Sequence, residues 1–221
     1  MLRTDAVYGI FGAGGHGREI AWLATQSGLP SKCLRFVVDA EFAAAPILNG
    51  IPVLSAEQFA RHHRGAPVFV AIGDPQLRRG AVARLRLAGN RFPPLIAPHA
   101  TVSPWAQYGE GVIVFPGATV TVDVRLGEHV HVNANCSISH DVEIGPFTSL
   151  SPGATLCGHV RVGRGVFVGA AACVINGAKG SPVIVGDDAF IAAGACVIGP
   201  VSAGAKVGGI PARPLRNRTA G

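Results

Sequence analysis

From Val102 onward the chain repeats every six residues. Val102, Tyr108, Val114, Val120, Leu126, Val132, Ile138, Ile144, Leu150, Leu156, Val162, Val168 and Val174 follow one another at that interval, and all but Tyr108 are aliphatic. Four residues after each comes a small or β-branched side chain, such as Ala118, Val124, Val130, Cys136 or Val142. A helix cannot use this period, because residues six apart fall on different helical faces; short strands joined by turns can. Repetition at fixed spacing marks a solenoid, in which each unit buries its apolar side only by stacking on the next. A second period is nested in the first: Gly109, Gly127, Gly145 and Gly163 stand 18 residues apart. Three hexads therefore make one coil of a triangular prism, and coils should stack at the strand spacing of about 4.8 Å.

The rhythm breaks once. Val174 is followed by "INGAKGSPVI" before it resumes at Val185, Ile191 and Val197, eleven residues where six or twelve are required. A loop thrown out of a regular scaffold is a common place for a ligand contact, so this one is expected beside an active cleft. Upstream, residues 5–97 have a different grammar. Apolar runs at 6–11, 33–39 and 67–73 alternate with helical patterns at 17–28, 56–63 and 75–89, and Asn49-Gly50 marks a turn. That alternation predicts a small parallel sheet covered by helices, a separate α/β unit ahead of an all-β one, with the boundary between 97 and 98.

Composition narrows the function. Charged residues are 14% of the chain and aromatics 6%, and the excess of +6 is scattered Arg, which argues against nucleic acid and fits a phosphate-bearing small molecule. No apolar run reaches the length of a membrane span, and the N-terminal segment lacks a cleavage pattern, so a cytoplasmic protein without membrane insertion is expected. Five Cys without a CxxC pair suit packing positions.

Two places carry chemistry. Gly12, Gly14 and Gly17 form GxGxxG after a strand and before a helix, which alone reads as a dinucleotide fingerprint with Asp39 at the ribose; the short sheet speaks against a full dinucleotide fold. In mid-repeat stand His140 and Asp141, and Gly158 occupies the His140 corner one coil later. A base beside a bare backbone N–H is the minimum equipment for acyl transfer. The intervals of 2, 9 and 19 between His129, His131, His140 and His159 do not match the three-His pattern of zinc enzymes built on such prisms, so no metal is expected.

"FGAGGHGREI", "AIGD", "PHATVSP", "VNANCSISHD" and "GGIPARPL" together resemble the bacterial sugar acetyltransferases of the PglD/NeuD type, within the hexapeptide-repeat acyltransferases, over nearly the full length. The resemblance implies a Rossmann-like N-terminal domain for a nucleotide sugar (1–97) and a left-handed parallel β-helix that carries acetyl transfer (98–221). It implies a homotrimer with active sites between subunits and acetyl-CoA as co-substrate. The expected reaction is N-acetylation of a nucleotide-linked amino sugar, such as a 4-amino-4,6-dideoxyhexose, in bacterial glycan or O-antigen synthesis. The alternatives are sugar O-acetylation of the sialic-acid-modifying type and a non-enzymatic sugar-nucleotide-binding trimer. By the same resemblance His140 is the general base, Asp141 its partner and Gly158 the oxyanion donor. Gly12, Gly14, Gly15, His16, Gly17, Asp39, Gly73 and Asp74 line the nucleotide pocket. Asn133 approaches the substrate amine, with a structural Asn ladder as its other reading. Gly158, Asn176, Gly177, Ala178, Arg213 and Arg216 flank coenzyme A, although the two Arg also suit a solvated tail.

Overall fold

The structure, a computed structural model, describes residues 2–42 and 45–215. It divides into two compact units, Met1–Pro98 and His99–Gly221.

In the first unit β1 (Tyr8–Phe11) is followed by α1 (Gly15–Gln26), β2 (Leu34–Val38), β3 (Ile47–Leu48), β4 (Ile51–Ser55), α2 (Ala56–His62), β5 (Val68–Val70) and α3 (Pro75–Leu87). The strand order is β3-β4-β2-β1-β5, parallel except for the β3–β4 hairpin. Asn49 and Gly50 turn that hairpin with φ of 48° and 75°, the left-handed pair that a two-residue connection needs. Buried Ile10, Phe36, Phe69, Ile20 and Leu23 form the core between sheet and helices. Helix α1 starts at Gly15, two residues before the helix expected from the sequence, because extended Gly14 already serves as its N-cap. Gly17 has a packing reason: a Cβ there would collide with the Gly12 carbonyl.

The second unit is a left-handed parallel β-helix of three walls. Strand pairs from Thr101↔Thr119 to Thr155↔Cys173 run in parallel at a spacing of 18 residues, as do those of the other two walls. Each hexad's aliphatic residue points inward, and Val120, Ile138, Leu150, Leu156, Val168 and Val174 are essentially inaccessible. The stacking extends to flat rings one coil apart: His129 on Phe147, with centroids 5.2 Å apart, and Phe167 on Phe190 at 5.3 Å.

After Val174 the register between partners becomes 23, as in Cys173↔Cys196 and Phe167↔Phe190. The five extra residues lie in the corner segment between Val174 and Val183, pinned by Gly177 N–H to Gly158 O at 2.9 Å and by paired Ala178 and Ser181. The last coil is two residues short of the regular eighteen, with Phe190 paired to Lys206 and Val185 to Val201.

Because Leu150 has no exposed surface, Leu150→Ala should leave a cavity between coils and cost about 2–5 kcal/mol of stability. The check is a shift of the urea midpoint at unchanged slope; a loss under about 1 kcal/mol would mean that stacked coils collapse onto such gaps.

Candidate active site

Most corners of the prism hold one residue with a left-handed backbone, and these residues stack in three columns. The first holds Gly111, His129, Phe147, Gly165, Asp188 and Gly204; the second Gly117, Asn135, Gly153, Ala171 and Gly194. The third is Asp123, Asp141 and His159, with φ of 56°, 58° and 56°. Adjacent residues on a strand face opposite ways, so His140 and Asp141 can meet only because Asp141 leaves the strand conformation here. They do meet: His140 Nδ1 lies 2.8 Å from Asp141 Oδ2. An ionised carboxylate can only accept, so Nδ1 donates here, and in the neutral imidazole Nε2 is the nitrogen with the lone pair. The bond from His140 is the main cause holding the Asp141 carboxyl below its ordinary range, with charge attraction to His159 also contributing.

Gly158 sits where the 18-residue period places it. A Cβ built on it would come within 2.6 Å of His140 Nε2 and 2.5 Å of Cε1, so any side chain would occupy the space of the imidazole. Its carbonyl accepts from Gly177, and the next amide, His159 N–H, bonds to His140 O at 3.2 Å. Among the described residues no backbone carbonyl takes the Gly158 N–H itself.

A recess of about 630 Å³ opens beside this corner. It is lined by Asp123, Asp141 and His159, by the wall residues Arg125, Glu143 and Arg161, and by Ala178 and Lys179 of the inserted loop; His140 and Gly158 adjoin it through Asp141 and His159 without lining it. The loop therefore does lie beside the His-Asp corner. Sequence reading passed over Lys179, a cation on the one irregular segment, and considered His159 only as a metal ligand. Adding 18 to 141 would have found its place.

The remaining prism residues are dispersed. Asn133 stands at the preceding corner of the same coil, and its Nδ2 donates to the backbone carbonyl Leu150 O at 2.6 Å; its coil neighbours are Phe115 and Ser151, so no Asn stacks on it. Asn176 is exposed, with its amide turned onto Gly177 O. Arg213 is exposed and bonds to Ala212 O, and Arg216 lies outside the described residues.

In the first unit a largely apolar cavity of about 500 Å³ is lined by Phe11, Gly12, Gly14, Val38, Asp39 and Ile72, among others. Gly12 has φ of 112°, and α1 begins after extended Gly14 without a side-chain cap on its first N–H groups. Such a terminus favours an anion. Asp39 is paired with Arg84 at 2.9 Å, and that guanidinium stacks on Phe11. His16 stands in the first turn of α1 beside Glu19, its pKa lowered chiefly by burial. Asp74 is the N-cap of α3, accepting from Gln76 and Leu77 N–H, a structural duty that the pocket assignment had not included. Beneath it lies a residue the sequence did not reveal: Arg78 is wholly buried and donates to Ile72 O and Gly73 O, shaping the loop that holds Gly73. Burial pushes its pKa down to about 9, against the pull of Asp74.

Comparison with known proteins bears on the family and the fold. Residues 9–85 match the family described as the PglD N-terminal domain. The chain is 32% identical over 216 residues to GDP-perosamine N-acetyltransferase of Escherichia coli O157:H7, covering 95% of this chain and 96% of that protein. Its fold is similar to the acetyltransferase domain of PglB from Neisseria gonorrhoeae FA1090 in complex with acetyl coenzyme A, with TM-score 0.85, 32% identity, and coverage of 94% and 98%. It is similar also to PerB from Caulobacter crescentus in complex with CoA and GDP-perosamine, with TM-score 0.85, 29% identity, and coverage of 96% and 98%.

Gly158→Ala tests the corner directly. The methyl group must displace the His140 ring, and turnover should fall about 100-fold, the scale expected of a misplaced reacting group. The unfolding midpoint should stay within a few degrees of the parent's; unchanged turnover would show that His140 does not need its observed place.

Proposed function

The chain belongs to the PglD-type sugar acetyltransferases, and we propose that it transfers the acetyl group of acetyl-CoA to the amine of a GDP-linked amino sugar with His140 as general base. The observation that carries this reading is the corner where His140, oriented by Asp141, faces the bare backbone of Gly158. An ammonium group cannot attack a thioester, so the acceptor reacts as the free amine. Its nitrogen forms the new bond to the carbonyl carbon while His140 Nε2 accepts a proton from that nitrogen. The carbonyl oxygen gathers negative charge and is met by the Gly158 N–H. When the tetrahedral centre collapses, the C–S bond breaks and coenzyme A leaves as the thiol after taking up a proton. No covalent enzyme intermediate is required.

The two units divide the substrates. Residues 1–97 hold the nucleotide, with the diphosphate at the Gly12–Gly17 turn and the base in the cavity that reaches Asp39; His16, Gly73 and Asp74 border that site. Coenzyme A lies along the prism at the Asn176–Pro182 loop, where Lys179 and Ala178 edge the recess and Arg213 stands available to a phosphate. Support for GDP comes from the Escherichia coli relative named GDP-perosamine N-acetyltransferase and from PerB, which is in complex with GDP-perosamine; the first is named for N-acetylation, which favours N- over O-acetylation here. We read the enzyme as a cytoplasmic homotrimer with active sites at subunit interfaces, because the recess is open on the single chain. Consistent with a soluble enzyme, no helix among the described residues is long and apolar enough to cross a membrane.

Thiol release with GDP-, UDP- and dTDP-linked amino sugars should be fastest with GDP. In that assay His140→Ala should lose about 100-fold or more in turnover while acetyl-CoA binding stays unchanged, and Asp141→Asn should lose less. Near-normal turnover by His140→Ala at neutral pH would remove the proposed base. Light scattering at micromolar concentration should give three times the chain mass of 22.6 kDa; a monomer would refute the shared-site assembly.

A further inference from the structure

We propose that His140, Asp141 and His159 form a binding site for a divalent transition-metal ion of the zinc type, and that an ion held there switches off the base. The ion is an inhibitor, since acetyl transfer needs the lone pair that it removes. The silencing, though not the binding, rests on the reading of His140 as the base.

Zinc sites with an open position take three protein ligands, among them imidazole nitrogens combined with one carboxylate oxygen. These side chains supply that set, and one donor atom from each lies within 4.8 Å of the other two. Asp141 Oδ2 is 2.8 Å from His140 Nδ1 and 3.8 Å from His159 Nε2. Ligands about 2.0–2.1 Å from a tetrahedral ion stand roughly 3.3 Å apart, so each donor has to shift by about 1 Å or less to hold one. His140 and Asp141 are half exposed and have room for that movement, while His159, three-quarters covered, is the fixed member. The backbone keeps the three in reach: His159 N–H bonds to His140 O at 3.2 Å, and Val183 N–H to His159 O at 3.1 Å.

The donor set selects the ion. Two imidazoles with a single carboxylate suit zinc and its first-row neighbours, whereas magnesium and calcium seek oxygen ligands. The spacing of the His residues excludes a three-His centre; here Asp141 takes the third place, next to one ligand in sequence and 18 residues from the other. A second group of acids with one imidazole, Glu110, Glu128 and His129, is less suited, because the His129 ring is already stacked on Phe147. Lys179, which borders the same recess as Asp141 and His159, works against a cation, so binding depends on the chelate rather than on net charge.

The consequence for His140 follows from its tautomers. Nδ1 is the nitrogen that faces the carboxylate, so Nδ1 is the one an ion engages. Its proton goes to solvent, and the neutral ring takes one from solvent onto Nε2, with no net release. Nε2 then donates and can no longer accept the proton of the amine. Inhibition therefore follows occupancy of the site, without the ion having to block either substrate.

The test is calorimetric titration of the full chain with Zn2+ alone, with Mg2+ as the control and Co2+ as a spectroscopic stand-in. Zinc should bind and Mg2+ should not compete, and the cobalt protein should lack the near-ultraviolet band that thiolate ligands add. His159→Gln, Asp141→Asn and His140→Ala should each weaken zinc binding by about 10-fold or more, and Glu128→Gln, in the other group, should leave it unchanged. Affinity that survives in the three ligand variants, or a thiolate band, overturns the proposal. Any one ligand variant that folds is enough to decide. Acetyl transfer is then followed at buffered free zinc by the acetylated sugar, because zinc binds free thiols. The parent's rate should fall in step with the calorimetric occupancy and return when EDTA is added. Zinc bound at these residues with undiminished transfer would leave the site standing and remove His140 as the base.

Discussion

Between one coil and the next run parallel backbone hydrogen bonds, Thr119 N–H to Cys136 O, Ser137 N–H to Ala154 O, Thr155 N–H to Ala172 O, at 2.8 to 3.0 Å. Because each bond joins residues about one coil apart, the ladder converts a distance along the sequence into a position in space. Side chains 18 apart become neighbours whatever their chemistry. The aliphatic interior follows from the ladder, as do the stacked rings and the columns of left-handed corners. So does the approach of Gly158 to His140, which is a sequence interval turned into a contact.

This explains what could be read in the chain beforehand. A solenoid repeats its geometry, so period six, period 18 and the broken interval after Val174 could be read as walls, coils and an inserted loop, and the His140–Gly158 contact could be counted out. The doubly wound first unit was legible as alternating segments, with α1 misplaced at its start by two residues. Its interior was harder. Arg78 belongs to a helix rich in Arg, where such residues ordinarily face water. That it is buried depends on where the Ile72 and Gly73 carbonyls end up, a tertiary fact with no local trace. Asn133 shows the opposite ambiguity: its side chain suits both a substrate and a backbone carbonyl, and only Leu150 O at 2.6 Å distinguishes the bond it makes.

The two units solve the handling of charge differently. The α/β unit offers backbone, namely the uncapped first turn of α1 and the glycines before it, and keeps its buried cation for holding a loop in shape. Among the described residues the prism has no helix ends to offer, so its polar work falls to side chains at corners and on one outer wall. Its apolar walls are then free of functional demands, and its corners carry them.

The third column has a consequence for how such a protein balances folding against chemistry. Backbone preference and reactivity compete at Asp141. A sequence chosen only to make the prism as stable as its geometry allows would write glycine or asparagine at 123, 141 and 159, as the neighbouring columns do at many of their corners. Such a protein would close its coils with less strain and would hold no carboxylate against the imidazole of His140. The strain accepted at Asp141 is thus a local measure of how far this chain departs from an ideal solenoid in order to be an enzyme.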